Sequence, residues 1–214
     1  MTISRDYQRD WPAYFDAVRE QPPRETCLRA LDAFERDNRA LSNPVAIDIA
    51  CGEGRDTRAI LARAPGWRVW AVDSSTEGLT RLRSAVRESD RPRVETVVLA
   101  MEEIPSHAAR LPGRADFINA SFALPFCDEN GFPALWAWIR ATVAPGGRFA
   151  GQFFGDRDEW APVNPRRHHT RDQVLSLLGG FSVEHFDEVE KDGLDAMGGT
   201  KHHHVFHVVA GRPV

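Results

Sequence analysis

The sequence has little net charge and few cysteines. Asp and Glu (31) nearly balance Lys and Arg (27) among 214 residues, which leaves a formal net charge of -4. This balance argues against a nucleic acid or an anionic membrane as the partner. The three cysteines, Cys27, Cys51 and Cys127, lie far apart, so they predict neither a disulfide framework nor a CxxC metal pair.

Long apolar runs are also missing. The opening MTISRDYQRD is too polar for a signal peptide, and no run approaches the roughly 20 apolar residues that cross a bilayer. A hydrophobic content of 42% is typical of one ordinary globular domain. We therefore expect a cytoplasmic monomer or homodimer with no membrane partner.

Apolar runs of strand length alternate with stretches of helical periodicity. The predicted strands are 45–50, 67–73, 94–100, 115–121 and 147–154, with helices near 55–64, 77–88 and 131–142 between them. This alternation predicts a parallel sheet with crossover helices. A helix near 170–178 and two strands around the turn at 197–199 predict a closing antiparallel hairpin.

Residues 1–40 are predicted to be an N-terminal helical extension or lid, and residues 41–214 the main part of a single domain. Trp11, Tyr14, Phe15 and Val18 have the spacing of an amphipathic helix, which Pro22 and Pro23 end. This aromatic stripe has two readings that carry equal weight, a lid over a ligand and plain core packing.

The stretch VAIDIACGEG at 45–54 combines a buried strand with two closely spaced glycines. Gly52 and Gly54 would let a ligand approach the backbone at the carboxyl end of the strand, where open α/β sheets bind ligands. Asp73 ends the second strand and suits the two hydroxyls of a ribose. The pattern predicts a ribonucleoside ligand, although the glycines alone would also suit a turn that serves only the fold.

The charges beside this turn favour one ligand over another. A dinucleotide fingerprint requires a third glycine where Thr57 stands, and a pyrophosphate would be repelled by Asp48 and Glu53. An ammonium and a sulfonium would instead be attracted by those carboxylates. S-adenosylmethionine is therefore expected, and a nicotinamide dehydrogenase is disfavoured.

Several motifs resemble those of the class I S-adenosylmethionine-dependent methyltransferases. DIACGEG resembles their acid-x-Gly-x-Gly-x-Gly motif, with Ala50 in place of the first glycine, a mild departure if residue 50 keeps a negative φ. AMEEIP (100–105) is similar to the segment that frames adenine, although Ala100 replaces the usual Asp. DFINASFALPFC (116–127) resembles the fourth motif, and VAPGG (143–147) the turn into the fifth strand. The resemblance covers about residues 40–211 and is greatest for the small tellurite-resistance (TehB-like) type.

The resemblance implies an α/β fold, a Rossmann-like doubly wound sheet of seven strands, mostly parallel with a C-terminal antiparallel hairpin. It implies S-adenosylmethionine as the methyl donor and residues 41–214 as the methyltransferase domain. The residues expected to bind the donor are Asp48, Ala50, Cys51, Gly52, Gly54, Asp73, Ser74, Met101, Glu102, Asn119, Ala120 and Ser121.

The sequence gives fewer indications of which residues contact the methyl acceptor. The loop from Gly155 to His169 is longer than a connector requires, and His202 and His204 alternate onto one strand face. Those histidines suggest a general base more than a metal site, because no cysteine or carboxylate accompanies them, so no metal is assigned. Candidate acceptor contacts are Trp11, Tyr14, Phe122, Phe126, Asp156, Trp160, His202 and His204.

The favoured function is methyl transfer to a small molecule by direct displacement, with no catalytic residue identified. A peptide or protein methyltransferase would leave an open groove beside the 155–169 loop. A silent adenosylmethionine-binding module would bind the donor without turnover. Methylation of a nucleobase is disfavoured because NASF (119–122) stands where Asn-Pro-Pro-aromatic is expected.

Overall fold

The structure is a computed structural model and describes residues 10–38, 41–162 and 167–214. Two helices come first, α1 (Trp11–Val18) and α2 (Glu25–Asp37). The βα units are β1 (Val45–Ile49), α3 (Arg55–Arg63), β2 (Arg68–Asp73), α4 (Thr76–Ala85), β3 (Val94–Val98), β4 (Ala115–Ala120), α5 (Phe132–Thr142) and β5 (Val143–Gly155). The chain closes with β6 (His168–His169), α6 (Arg171–Leu177), β7 (Ser182–Leu194) and β8 (Thr200–Gly211).

The main sheet has seven strands in the order β3-β2-β1-β4-β5-β8-β7. Strands β1 to β5 are parallel, and β8 is antiparallel to both β5 and β7. The two-residue β6 adds to the carboxyl end of β5, which makes eight strands. The predicted doubly wound sheet with its antiparallel hairpin is confirmed.

The chain order reverses at β1, whose two neighbours are β2 and β4. A crevice opens at such a switch point, outside the carboxyl ends of the strands. Asp48 on β1 is in register with Asn119 on β4, so two polar side chains meet beneath this crevice. The topology therefore places the VAIDIACGEG turn and the fourth motif side by side.

The two N-terminal helices contact the sheet in different ways. Helix α2 buries Cys27, Ala30 and Leu31 against one sheet face, and its Thr26 Oγ1 accepts a hydrogen bond from Gln152 Nε2 at 2.7 Å. Asp10 caps the N-terminus of helix α1, since its side chain accepts a hydrogen bond from the Ala13 N–H. The helix buries Phe15 over the crevice. The division of the chain near residue 40 stays a prediction.

Predicted boundaries agree with the structure to within about three residues, with one exception. Strand β5 begins at Val143 rather than at 147 and so includes the Pro145-Gly146 turn. Here the register of β4 with β5 shifts between Ala115 and Phe117, which lets the strand accommodate the extra residues.

Candidate functional site

The turn after β1 uses three left-handed residues in alternation. Ala50 has φ +52°, Gly52 φ +57° and Gly54 φ +80°. Ala50 therefore does not keep the negative φ that would make the replacement of glycine a mild departure. A left-handed conformation brings Cβ close to the following carbonyl and costs a non-glycine residue roughly 1–2 kcal/mol. The turn therefore has a positive φ at all three motif positions, including the one that holds alanine.

Packing explains why the second and third positions of this turn are glycines. A Cβ at Gly54 would overlap the side chain of Leu82 on α4, and a Cβ at Gly52 would lie 3.1 Å from Phe15 Cε1. The Cys51 N–H donates to Val72 O at 3.0 Å, which joins the turn to β2. The thiol of Cys51 has a pKa raised by burial, in keeping with the expected role as a backbone contact.

Asp73 at the end of β2 faces this turn. Its Oδ2 accepts from the Gly52 N–H and its Oδ1 from the Ser75 N–H, both at 2.7 Å. Burial raises the pKa of the carboxyl, while these two hydrogen bonds lower it. Ser74 is exposed beside it. Asp73 thus holds the glycine turn, and a ribose would bind to the remaining lone pairs of its two oxygens.

A buried polar network lies under the crevice. Asp48 accepts hydrogen bonds from Asn119 Nδ2 at 2.8 Å and from Thr57 Oγ1 at 2.5 Å. Asn119 Nδ2 also donates to Asp56 Oδ2 at 3.2 Å. Burial, followed by the charge of Asp56, raises the pKa of Asp48 to about 7. Asn119 and Ala120 are fully buried, so Ser121 is the fourth-motif residue that reaches the crevice.

The charge argument against a pyrophosphate is weaker than the sequence suggests. Glu53 Oε2 pairs with Arg58 Nη1 at 3.0 Å, so its charge is balanced. Asp48 is half-protonated near neutral pH, because its pKa is about 7.

The segment predicted to frame adenine follows β3 as a single turn of 3-10 helix, Met101–Glu103. Met101 packs partly buried against the core. Glu102 Oε1 accepts from the Asp128 N–H at 3.1 Å, which ties the segment to the loop before α5. The Glu102 carboxylate therefore holds the backbone of that loop.

A small cavity of about 60 Å³ lies between α1 and the glycine turn. Its wall includes Phe15, Asp48, Gly52, Arg55 and Ser121. The volume corresponds to roughly two water molecules. Helix α1 thus covers the turn, as a lid would, with Phe15 only 3% exposed.

A larger cavity of about 690 Å³ lies between α1, the end of β5 and the β7–β8 hairpin. Four predicted acceptor contacts line it, namely Tyr14, Phe122, Phe126 and Trp160. The Trp11 ring lies outside the wall and packs edge-on against Phe126, with centroids 6.0 Å apart. The structure therefore gathers most of the predicted aromatic contacts around one space.

The expectation for His202, His204 and Asp156 is corrected, since none of them lines this cavity. His202 Nδ1 is 2.7 Å from Asp192 Oδ1, and His204 Nε2 is 3.0 Å from Glu188 Oε1. Asp156 lies 3.6 Å from His204 Nδ1. The two histidines occupy the face of β8 opposite to the cavity, because side chains alternate along a strand.

The cavity is lined instead by residues that the sequence analysis missed. His203 and His207 come from the other face of β8, and His185 from β7. Arg24 and Arg55 line the wall near α1. The alternation along KHHHVFHVV predicts that histidines lie on both faces of β8. The sequence does not show which face is turned to the cavity, since that depends on the pairing of β8 with β5.

His168 and His169 form the short strand β6. His169 is buried beside the rings of Phe132 and Phe153, and burial lowers its pKa to about 4.

Within residues 10–38, 41–162 and 167–214, no three His, Cys, Asp or Glu side chains are grouped to hold a metal ion. Over the same ranges, no helix is long and apolar enough to cross a membrane.

Comparison with known proteins agrees with this geometry. Residues 46–147 match the family described as Methyltransferase domain. The matched residues include the glycine turn, Asp73 and the fourth motif. No curated protein sequence matches the chain significantly.

Solved methyltransferase structures share the fold. TehB from Haemophilus influenzae superposes with a TM-score of 0.66 at 15% identity, covering 86% of this chain and 61% of TehB. The 1,6-didemethyltoxoflavin N1-methyltransferase of Burkholderia thailandensis gives 0.61 at 21% identity, covering 95% of this chain and 85% of its own. Magnesium protoporphyrin IX methyltransferase from Synechocystis gives 0.61 at 14% identity, covering 97% and 86%. The chain thus spans under two thirds of the length of TehB.

Proposed function

We propose that this methyltransferase transfers a methyl group from S-adenosylmethionine to a small molecule held in the larger cavity. The observation that carries the proposal is the position of that cavity. Its wall includes Phe122, which directly follows the buried Asn119–Ala120 pair and Ser121 beside the glycine turn. The volume of about 690 Å³ lies within the range of small-molecule sites.

The residues around the glycine turn fit the donor. Asp73 would hold the ribose, the backbone at Ala50, Cys51, Gly52 and Gly54 would lie against the ligand, and Asp48 would favour its ammonium. Ser74, Met101 and Glu102 would surround the adenine, and Asn119, Ala120 and Ser121 would form the floor. When bound, the donor supplies a methyl group on a sulfonium, which is a good leaving group.

Helix α1 would act as a lid over this site. Phe15 contacts Gly52, and the space beneath it holds about two waters. An adenosyl ligand is far larger, so α1 would shift outward as the ligand enters and would then cover it. The aromatic residues on α1 would exclude water from the reacting groups.

His207 is the best placed candidate for a general base. Its ring lies 6.0 Å from the Phe122 ring, on the cavity face of β8, in register with Asp187 on β7. Burial, more than the nearby cation charges, lowers the pKa of His207, so the imidazole is neutral at pH 7. A neutral imidazole can accept the proton of an attacking N–H or O–H group.

The shape of the site favours a small acceptor over a peptide. Aromatic rings of Tyr14, Phe122, Phe126, Phe154 and Trp160 surround the cavity, which is typical of pockets for small molecules. The structural neighbour from Burkholderia holds 1,6-didemethyltoxoflavin together with S-adenosylhomocysteine. A cytoplasmic monomer or homodimer with no nucleic-acid partner remains our expectation.

The test is release of S-adenosylhomocysteine in the presence of a panel of small phenols, amines, thiols and chalcogen oxyanions, beside a panel of peptides. We expect turnover with a small molecule and a loss of turnover in His207→Asn for phenols and amines. Methylation of peptides alone would favour the protein methyltransferase. Donor binding without turnover on any acceptor would favour the silent module.

A further inference from the structure

The floor of the larger cavity is one face of the β5-β8-β7 part of the sheet. Val205 on β8 is in register with Phe154 on β5 and with Val189 on β7, and all three line the cavity. Phe154 and Val205 are buried. Side chains in register lie side by side across a sheet, so these three form a flat apolar strip.

A histidine lies on each side of this apolar strip. His203 and His207 come two residues before and two residues after Val205 on β8, so they share its face and line the cavity. A strand rises about 3.3 Å per residue, which separates their Cα atoms by roughly 13 Å. Side chains extend roughly perpendicular to a sheet, so the two rings keep about the same separation.

Both imidazoles can form hydrogen bonds with a ligand. Burial lowers the pKa of His203 and of His207, which favours the neutral form of each ring. A neutral imidazole has one hydrogen-bond donor and one acceptor. The apolar strip therefore has a hydrogen-bonding group at each end.

Further aromatic rings surround Phe154. Its ring centroid lies 6.3 Å from that of Phe122, 6.0 Å from that of Phe126 and 5.9 Å from that of Trp160. All four residues line the cavity. Edge-to-face and offset contacts between aromatic rings stabilise a pair beyond the burial of its area. An aromatic ligand would gain such contacts here, whereas a saturated one would not.

The charged residues that line the larger cavity balance one another. The basic ones are Arg24, Arg55, Lys191 and Lys201, and the acidic ones are Glu25, Asp187, Asp192 and Asp195. Two of them pair with ions outside the wall, Lys201 with Asp158 and Glu25 with Arg29, each at 2.5 Å. These two outside ions are of opposite sign, so the balance is kept. The acids under the glycine turn, Asp48, Glu53 and Asp56, line the smaller cavity instead. The larger cavity therefore has no excess charge to hold an anionic or cationic acceptor.

We propose that the acceptor is a flat, uncharged molecule of fused aromatic rings that lies on the apolar strip and carries a polar group at each end. His207 would bind the end beside Phe122, close to the methyl donor, and His203 would bind the far end. Hydrogen bonds of about 2.8 Å at both ends leave roughly 8 Å between the imidazoles, which is the span of two fused rings with an oxygen at each end. The inference rests on the proposed function, because it names the class of acceptor for the same cavity.

Binding of four two-ring probes tests the proposal. Nuclear magnetic resonance titrations of the protein saturated with S-adenosylhomocysteine would compare 2,6-dihydroxynaphthalene, 2-naphthol, decahydro-2-naphthol and 6-hydroxy-2-naphthoate. Each probe is measured for the wild type, His203→Leu, His203→Gln and His202→Leu. His202 is the matched control, because it is the adjacent histidine on the same strand and does not line the cavity. Thermal melts confirm that each variant is folded.

We expect the wild type to bind 2-naphthol about 3-fold or more tighter than decahydro-2-naphthol, through contacts between aromatic rings. The diol should bind about 3-fold or more tighter than 2-naphthol, through one added hydrogen bond. The naphthoate should bind more weakly than the diol, because its charge has no counterpart in the cavity. His203→Leu should lose the preference for the diol over 2-naphthol, His203→Gln should keep part of it, and His202→Leu should keep all of it.

Four outcomes overturn the proposal and leave the proposed function standing. They are equal affinity for the aromatic and the saturated alcohol, tighter binding of the naphthoate than of the diol, an unchanged preference for the diol in His203→Leu, and no saturable binding of any probe. If S-adenosylhomocysteine itself fails to bind the wild type, the proposed function fails, and the assignment of the acceptor fails with it.

Discussion

The buried carboxyl of Asp48 makes the stability of the fold depend on pH in a defined direction. Its pKa in the folded protein is about 7, against a usual value of 3.8, because burial disfavours the charged form. Between these two values the unfolded chain binds fewer protons than the folded one. Stability contributed by this group is therefore lost as the pH rises from about 4 to about 7.

The size of the stability change follows from the pKa shift of Asp48. A difference of about three pKa units corresponds to roughly 4 kcal/mol over the whole range, and to about 2.5 kcal/mol between pH 5 and pH 8. Asp48→Asn removes the titration but keeps an oxygen for Asn119 Nδ2 and places an N–H₂ group opposite Thr57 Oγ1. The variant should therefore lose less stability than the wild type over this interval, by about 2.5 kcal/mol.

The assay is urea unfolding of both proteins at pH 5 and pH 8, followed by circular dichroism. The histidines titrate in both proteins, so their contribution to the pH dependence of stability cancels in the comparison. Asp172→Asn, an exposed change at the start of α6, serves as the control and should follow the wild type. Equal pH dependence in the wild type and Asp48→Asn would refute the assignment of a raised pKa to this carboxyl.

Three further predictions concern the turn and the base. Ala50→Gly should stabilise the protein by up to about 1 kcal/mol, because relief of the left-handed alanine exceeds the entropy cost of glycine. The control Ala85→Gly in α4 should destabilise the protein by about the same amount. A lower stability of Ala50→Gly than of the wild type in urea unfolding would contradict this prediction. Gly54→Ala should cost about 2–5 kcal/mol in the same assay, since the methyl overlaps Leu82 at positive φ, and a cost below about 1 kcal/mol would contradict the packing. In the wild type, kcat/KM for a phenol or amine should rise with pH and reach its plateau by neutral pH, because burial lowers the pKa of His207. His207→Asn should lose this pH dependence and about 10²–10⁴ in rate. An unchanged profile excludes His207 as the base.

The fold was predictable because local signals agreed with one another. The strands β1 to β4 are apolar runs bounded by Gly, Pro, Asp or Ser, and β1, β2 and β4 are each followed by a segment with helical periodicity. The carboxyl ends of parallel strands lie at one edge, so Gly52 and Asp73 could be placed together before any contact was known. The 2.7 Å hydrogen bond between Gly52 N–H and the Asp73 carboxylate confirms that juxtaposition.

The errors arose where tertiary packing decides. The replacement of the first motif glycine by Ala50 would be mild with a negative φ, but the turn holds Ala50 at φ +52°. The face of β8 that is turned to the cavity depends on its register with β5, and a shift by one residue exchanges His203 and His207 for His202 and His204. Arg24 carried no local signal, because its position over the Phe122 ring depends on tertiary packing.

The most direct test of the account is calorimetric titration of the protein with S-adenosylhomocysteine and with NAD, for the wild type and Asp73→Asn. We predict that S-adenosylhomocysteine binds the wild type, that NAD does not, and that Asp73→Asn weakens binding by about 10-fold or more while the fold is retained. Binding of NAD in place of the adenosyl ligand, or equal affinity of wild type and variant, would contradict the assignment of the glycine turn and Asp73 to the methyl donor.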